Sequence, residues 1–237
     1  MNYLLEVCLV VTLAAGATPA IGAKSQAITA QTMQKGISVE LPVTSYAVAM
    51  PDADQEDALI VSVTDDGSVY FGVDPISPAA LAEKVRDGLS NRTERKLYIK
   101  ADARTPYANV VKVLDAVRTA GVEPPSLLKA QRDSSGPGTL IPPKGLDVLI
   151  GPPLPSGSEA IVVQVLNSEH QRPARKINNE PVQRASLQSR LRQLLQNRSE
   201  NVVHIQADAT LPFAAVVDVI DVCHSTGAKV VLVAPVR

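Results

Sequence analysis

Aromatic residues are nearly missing from this chain. Tryptophan is absent, and five tyrosines and two phenylalanines are spread over 237 residues. Any core must therefore be aliphatic, built from valine, leucine, isoleucine and alanine. Cysteine is almost as scarce. Cys8 lies in an apolar N-terminal stretch and Cys223 in a predicted helix, so no disulfide framework is expected. The three histidines, His170, His204 and His224, stand at no metal-ligand spacing with the cysteines, which argues against a zinc site. His204 falls on an alternating strand pattern and is read as a surface or edge residue. A net charge of −1 leaves no global electrostatic footprint for nucleic acid. No phosphate-binding glycine loop or nucleophile elbow occurs. The chain is accordingly read as a non-enzyme with no cofactor.

What the chain does have is a repeat. Leu97–Val122 aligns without a gap on Val203–Ala228, and Asp208 stands 106 positions after Asp102. The register extends upstream, where Leu81, Val85 and Leu89 meet Leu187, Leu191 and Leu195. A period of that size is a domain rather than a solenoid unit.

Each copy reads as β-β-α-β-α-β. In the first, Ala58–Thr64 alternates as a strand, Asp65-Asp66-Gly67 turns, and Ser68–Gly72 returns. Ser77-Pro78 opens a helix whose Leu81, Val85 and Leu89 share one face. Lys96–Ala101 is a strand, and Thr105-Pro106 caps a second helix that Gly121 ends. The second copy repeats this with strands over Ala160–Leu166, Arg175–Asn178 and Val202–Ala207, helices over Ala185–Gln196 and Pro212–Ser225, and a last strand over Lys229–Pro235. The corresponding strand of the first copy meets Pro124 and Pro125, which cannot donate ladder bonds, and is expected to be shortened, an edge, or lost. The fold class is α+β: two tandem two-layer sandwich domains after an N-terminal apolar helix. The boundaries read as 1–23 for the apolar segment, 24–57 for a tether with a short strand over Gly36–Pro42, 58–130 for copy one, 131–145 for a linker and 146–237 for copy two.

Tyr3–Ala23 is apolar apart from Glu6 and its threonines, and long enough to span a bilayer as a helix. Two readings stand. One is a transmembrane anchor. The other is a cleaved secretory signal with mature ends after Ala17, Ala20 or Ala23. An acid within an apolar helix marks Glu6 as a functional candidate. Asp102 and Asp208 each end a strand before a helix, where a carboxylate accepts backbone N–H bonds in the turn; contact with a partner is the second reading. Asp115 and Asp221 sit mid-helix among valines and are read as surface residues or partner contacts. Arg190 and Arg192 belong to a basic run, from Arg172 to Arg198, that is either a solvated face or a contact for an anionic polymer.

The string Ile99-x-Ala101-Asp102-x-x-x-Pro106-Tyr107-x-x-Val110-Val111-x-Val113-Leu114-Asp115, closed by Ala120-Gly121, resembles the ExbD/TolR family of inner-membrane energising proteins. Ala207, Asp208, Pro212, Phe213, Val217, Asp221 and Gly227 repeat it. Gln34–Pro42 is similar to the segment that follows the family's membrane helix, and Leu4–Val11 to the helix itself. The resemblance implies a single-pass protein of the bacterial inner membrane with most of its chain in the periplasm. It implies work beside an ExbB/TolQ-like proton channel subunit, driving a TonB/TolA-like partner, with peptidoglycan as a further contact. By local alignment the family's proton-path acid falls on Glu6.

Overall fold

The computed structural model describes residues 36–92, 95–122, 124–131, 143–152, 154–155, 158–168 and 172–233. Glu6, Cys8, His170 and the predicted membrane segment lie outside the described residues. Among the described residues no helix is long and apolar enough to cross a membrane.

The elements follow in chain order. Two short strands, β1 (Val43–Thr44) and β2 (Val48–Ala49), precede a 3-10 turn at Pro51–Asp54. Copy one then contributes β3 (Ile60–Val63), β4 (Val69–Phe71), β5 (Asp74–Pro75), α1 (Pro78–Leu89), β6 (Tyr98–Ala101), α2 (Tyr107–Thr119) and β7 (Ser126–Gln131). Next come β8 (Lys144–Asp147) and β9 (Leu149–Gly151). Copy two contributes β10 (Ile161–Leu166), β11 (Ala174–Ile177), β12 (Glu180–Pro181), α3 (Arg184–Leu195), β13 (Val202–Ala207), α4 (Phe213–His224) and β14 (Lys229–Val233). The first sheet runs β2-β8-β7-β6-β3-β4-β5, with β1 also on β7, and the second runs β12-β11-β10-β13-β14-β9.

The central pairs β3–β6, β6–β7, β10–β13 and β13–β14 are parallel, each bridged by a crossover helix. One sheet face carries the helices. Val61, Val63, Ile99 and Leu127 join Leu81, Val85, Val110 and Val117 in one aliphatic cluster, which continues without a break into Val163, Ile205, Leu187, Val217 and Leu232 of copy two. A cluster shared in this way makes the two copies one packed body.

Three expectations need correction. The last strand of copy one is neither short nor at the edge. Pro124 and Pro125 precede β7, so all six of its residues are free to pair, and it lies between β6 and β8. The predicted strand over Gly36–Pro42 is absent; the first strand residues are Val43–Thr44, in parallel with Ala130 and Gln131. His204 is no edge residue, because β13 lies between β10 and β14, and its ring is half-buried on the outward face.

The segment Gly36–Ala58 forms a strap over copy one. Met50, Ala53 and Leu41 pack on the sheet face that carries no helices, against Ile60, Tyr98 and Leu128. Gly145 makes room for this: a Cβ there would come within 2.5 Å of the Met50 sulfur and 2.8 Å of the Leu127 carbonyl oxygen. The end of the expected linker and the first residues of copy two also do structural work. β8 belongs to the first sheet and β9 to the second, with buried Val148 between them.

Candidate partner interface

Asp102 and Asp208 sit in equivalent turns between strand and helix. The Asp102 carboxylate accepts the Arg104 N–H at 3.0 Å and two guanidinium bonds from Arg104 at 2.9 and 3.1 Å. It also accepts the Glu40 N–H of the strap at 3.0 Å. The Arg104 guanidinium, with the backbone donors behind it, holds this carboxyl down at about 2. Asp208 accepts the Thr210 N–H at 2.9 Å and the Thr210 hydroxyl at 2.8 Å, which lower its pKa. Both acids thus organise their own turns.

These turns bring the copies together. Neither α2 nor α4 has a side-chain cap, although the first amides of a helix lack intrahelical acceptors. Each helix borrows acceptors from the other copy's turn. Tyr107 N–H donates to the Leu211 carbonyl at 2.8 Å, and Phe213 N–H to the Thr105 carbonyl at 2.9 Å. Ala108 N–H donates to Ala209 and Ala214 N–H to Ala103, both at 2.9 Å. The four bonds obey the same 106-residue offset as the sequence, so they describe a two-fold axis between Pro106 and Pro212, which face each other as an antiparallel bridge. Thr105, expected to be a cap, is fully buried, and its carbonyl serves the partner helix instead. Tyr107 and Phe213 follow the prolines into the core, each 1% exposed.

The symmetry fails two turns further along. Asp221, expected on the surface, is buried against the strap and accepts the Ser45 and Tyr46 N–H groups at 3.0 and 2.9 Å. Its counterpart Asp115 is partly exposed, and among the described residues its carboxylate makes one ion pair, with Arg118 at 3.6 Å. Beside Asp221 lies Lys129, buried, with its ammonium 4.2 Å from the Phe213 ring centroid and no hydrogen-bond partner among the described residues. Burial pushes the Lys129 pKa well down, and Asp221 opposes that shift. Sequence reasoning missed Lys129. Its only signal was a lysine inside a strand buried on both faces.

The basic candidates lie apart from the junction, on α3. Arg190 reaches Glu180 at 3.2 Å and Gln193 at 2.9 Å, and Arg192 is exposed. Arg184 forks onto Asp218, which Arg175 also reaches at 3.2 Å. The structure therefore brings Asp102, Asp208 and Asp221 to one junction and leaves Arg190 and Arg192 on an outer helix face. Among the described residues no group of histidine, cysteine and acidic side chains could hold a metal ion. Cys223 is buried, and burial pushes its thiol up to about 12.

Comparison with known proteins gives the same two-fold account. The profile of the biopolymer transport protein ExbD/TolR family matches residues 27–131 and again residues 140–235. The biopolymer transport protein ExbD of Pseudomonas aeruginosa is 28% identical over 95 residues, covering 40% of this chain and 69% of that protein. The Tol-Pal system protein TolR of the same organism is 28% identical over 106 residues, covering 40% of this chain and 72% of its own length. Each relative thus matches only part of a chain that the family profile covers twice. By both matches, the chain belongs to the ExbD/TolR family.

Proposed function

We propose that this chain is a non-enzymatic accessory subunit of a proton-motive-force-driven envelope transport complex of the ExbB/ExbD or TolQ/TolR type. In this reading residues 3–23 anchor it in the inner membrane, its two domains lie in the periplasm, and it works between an ExbB/TolQ-like proton channel subunit and a TonB/TolA-like partner. Glu6 stands in the proton path. The observation that carries the reading is the mutual capping of α2 and α4, which supports a two-domain receptor built from one chain. The buried Asp221–strap contact ties residues Ser45 and Tyr46, on the membrane-facing side of the sequence, to the domain pair. A pull or a rotation of the anchor is thereby delivered to both copies. The test is Glu6→Gln in the native host. Loss of energy-dependent uptake at unchanged protein level is expected; normal uptake removes Glu6 from the mechanism.

A second reading has its own observation. α3 carries Arg184, Arg190 and Arg192 and no acid, whereas α1 balances Glu83 and Asp87 against Lys84 and Arg86. A helix with an excess of arginine suits an anionic polymer such as peptidoglycan, which would compete with Glu180 for Arg190 and meet the exposed Arg192, and a signal-cleaved periplasmic module could use it without proton flow. Intact mass from the native host separates the two: retention of residues 1–23 supports the anchored subunit, and their loss supports the module. Peptidoglycan pull-down that is unchanged by Arg190→Ala with Arg192→Ala rules out the basic face.

A further inference from the structure

The two turns at the junction have the same backbone, but only one of them holds a guest. In copy one, Asp102 N–H bonds to Val63 and Thr105 N–H bonds back to Asp102; in copy two, Asp208 N–H bonds to Val165 and Leu211 N–H bonds back to Asp208. On copy one, the strap residue Glu40 is held by both of its backbone groups. Its N–H goes to the Asp102 carboxylate at 3.0 Å, and its carbonyl takes the Ala103 N–H at 2.7 Å. On copy two, Asp208 and Ala209 offer the same acceptor and the same donor. The Asp208 carboxylate receives the Asn167 N–H besides the Thr210 groups, but among the described residues no strap-like segment is held at this turn, and the Ala209 N–H has no acceptor there. The chain's own equivalent of Glu40, Leu146, is committed to β8 in the first sheet, where it pairs with Leu127.

The sheet face beside the vacant turn is open as well. The face of copy one is covered by Met50 and Ala53. The matching face of copy two holds a cavity of about 280 Å³ lined in part by Leu154, Val162, Gln164, Asn178, Gln206 and Val233. Gln164 and Gln206 are register neighbours, so their carboxamides stand side by side over an aliphatic floor.

We infer that the Asp208–Ala209 turn of copy two, with the open sheet face beside it, is a docking site for an extended peptide segment of a partner protein. The strap on copy one shows how it binds. One residue of the guest gives its N–H to Asp208 and its carbonyl to Ala209, and a valine-, leucine- or methionine-sized anchor lies on Val162 and Val233. The main-chain amides cross Gln164 and Gln206, whose carboxamides both donate and accept. The guest differs from the strap in charge. Glu40 sits within 3.7 Å of Arg104, but Thr210 and Asn167 occupy that corner in copy two and bond to each other at 3.0 Å. An uncharged side chain fits there. The pseudo-symmetric pair therefore offers one vacant site and not two, and one chain takes one guest. The site stands on its own geometry, whether or not the chain is coupled to proton flow.

The experiment is a titration of the isotopically labelled full chain with a synthetic peptide of the strap sequence, Lys35 to Tyr46, carrying glutamine in place of Glu40, followed by amide resonances. Saturable shifts at Ala209 and Gln206 are expected. Asp208→Asn should weaken binding by about ten-fold, since the carboxylate acceptor is halved while the amide oxygen still serves the Thr210 N–H and keeps the turn. A peptide N-methylated at the Glu40 position should lose binding on the unaltered protein, which separates recognition from any folding defect. Shifts confined to Ala103, meaning exchange with the resident strap, overturn the proposal. So does the absence of shifts, or equal affinity in Asp208→Asn. Self-association without peptide that Asp208→Asn abolishes would make the guest a second copy of this chain, and overturns it too.

Discussion

The outward faces of the two sheets started from one folding unit and ended with opposite character. In copy one, β3 and β6 are buried at every position. In copy two, β10 alternates between buried and half-buried, and β13 follows the same rhythm with an exposed Gln206. Strand register pairs the outward residues: Ile60 with Val162, Ser62 with Gln164, Tyr98 with His204, Lys100 with Gln206. Where the strap lies, the face has grown isoleucine and tyrosine. Where no strap lies among the described residues, it carries carboxamides and an imidazole. The covered face also buries Lys100, whose pKa burial lowers while Asp54 of the strap opposes the shift. The lesson is that a sheet's outer chemistry is set by what covers it, and that a repeat within one chain reads this out with everything else held equal.

The comparison can be broken first at the helices. Asp221→Ala removes two strap bonds and leaves Lys129 buried without its counter-charge, which should cost about 3 kcal/mol in urea denaturation. Asp115→Ala, its twin, should cost under about 0.5 kcal/mol because the group is partly exposed and meets one arginine. Equal effects would mean that the asymmetry at the junction carries no energy. Next comes the cover itself. Met50→Ala should cost about 2 kcal/mol or more as a buried truncation, and Leu154→Ala on the open face well under that.

Lys129→Met should cost less than Asp221→Ala, since the Asp221 charge it leaves behind keeps the Ser45 and Tyr46 N–H groups, whereas Lys129 left alone has no hydrogen-bond partner among the described residues. It also has a pH signature. The folded pKa of Lys129 lies below its ordinary value of 10.5, so between the two the unfolded chain holds more protons. The cost of burying the charged amine is therefore complete below the folded pKa and relieved as pH rises toward 10.5. Stability should climb with alkaline pH in the native chain, and Lys129→Met should flatten that slope. The smallest effect is at the strap's first contact. Asp102 has its folded pKa at about 2 against an ordinary 3.8, so its contribution is present above 3.8 and lost as pH falls through about 2. Hydrogen exchange at the Glu40 amide should accelerate over that interval, relative to the intrinsic rate, and be insensitive to pH above it.

Much of this was legible in the residues. Alternation and caps placed α1 at Ser77-Pro78, where the Ser77 hydroxyl does accept the Ala80 N–H. They also placed β10, α3 and β13 to within a residue or two. What failed was whatever depended on a distant partner. Thr105 looked like a cap because the local pattern is that of a cap; the true acceptors, Leu211 and Ala209, are 104 and 101 residues from the amides they serve. Asp221 looked like a surface acid because its helix is amphipathic by local count, yet the strap comes from 175 positions upstream. Pro124 and Pro125 looked like strand breakers, and lie immediately before the strand. Periodicity reports on neighbours along the chain, and the junction is made of none.

The borrowed caps also set a clock. The first amides of α2 find their acceptors only at Ala209 and Leu211, so a growing polypeptide holds an incomplete first half until the second has been made. At bacterial elongation rates of about 5–20 residues per second, a gap of that size is a wait of about 5–20 s. Arresting synthesis after residue 131 should leave a nascent half more open to protease than the same residues in the finished chain. Equal resistance would show that copy one completes itself. A duplication that gives a protein its own partner therefore makes the first half wait for the second to be synthesised.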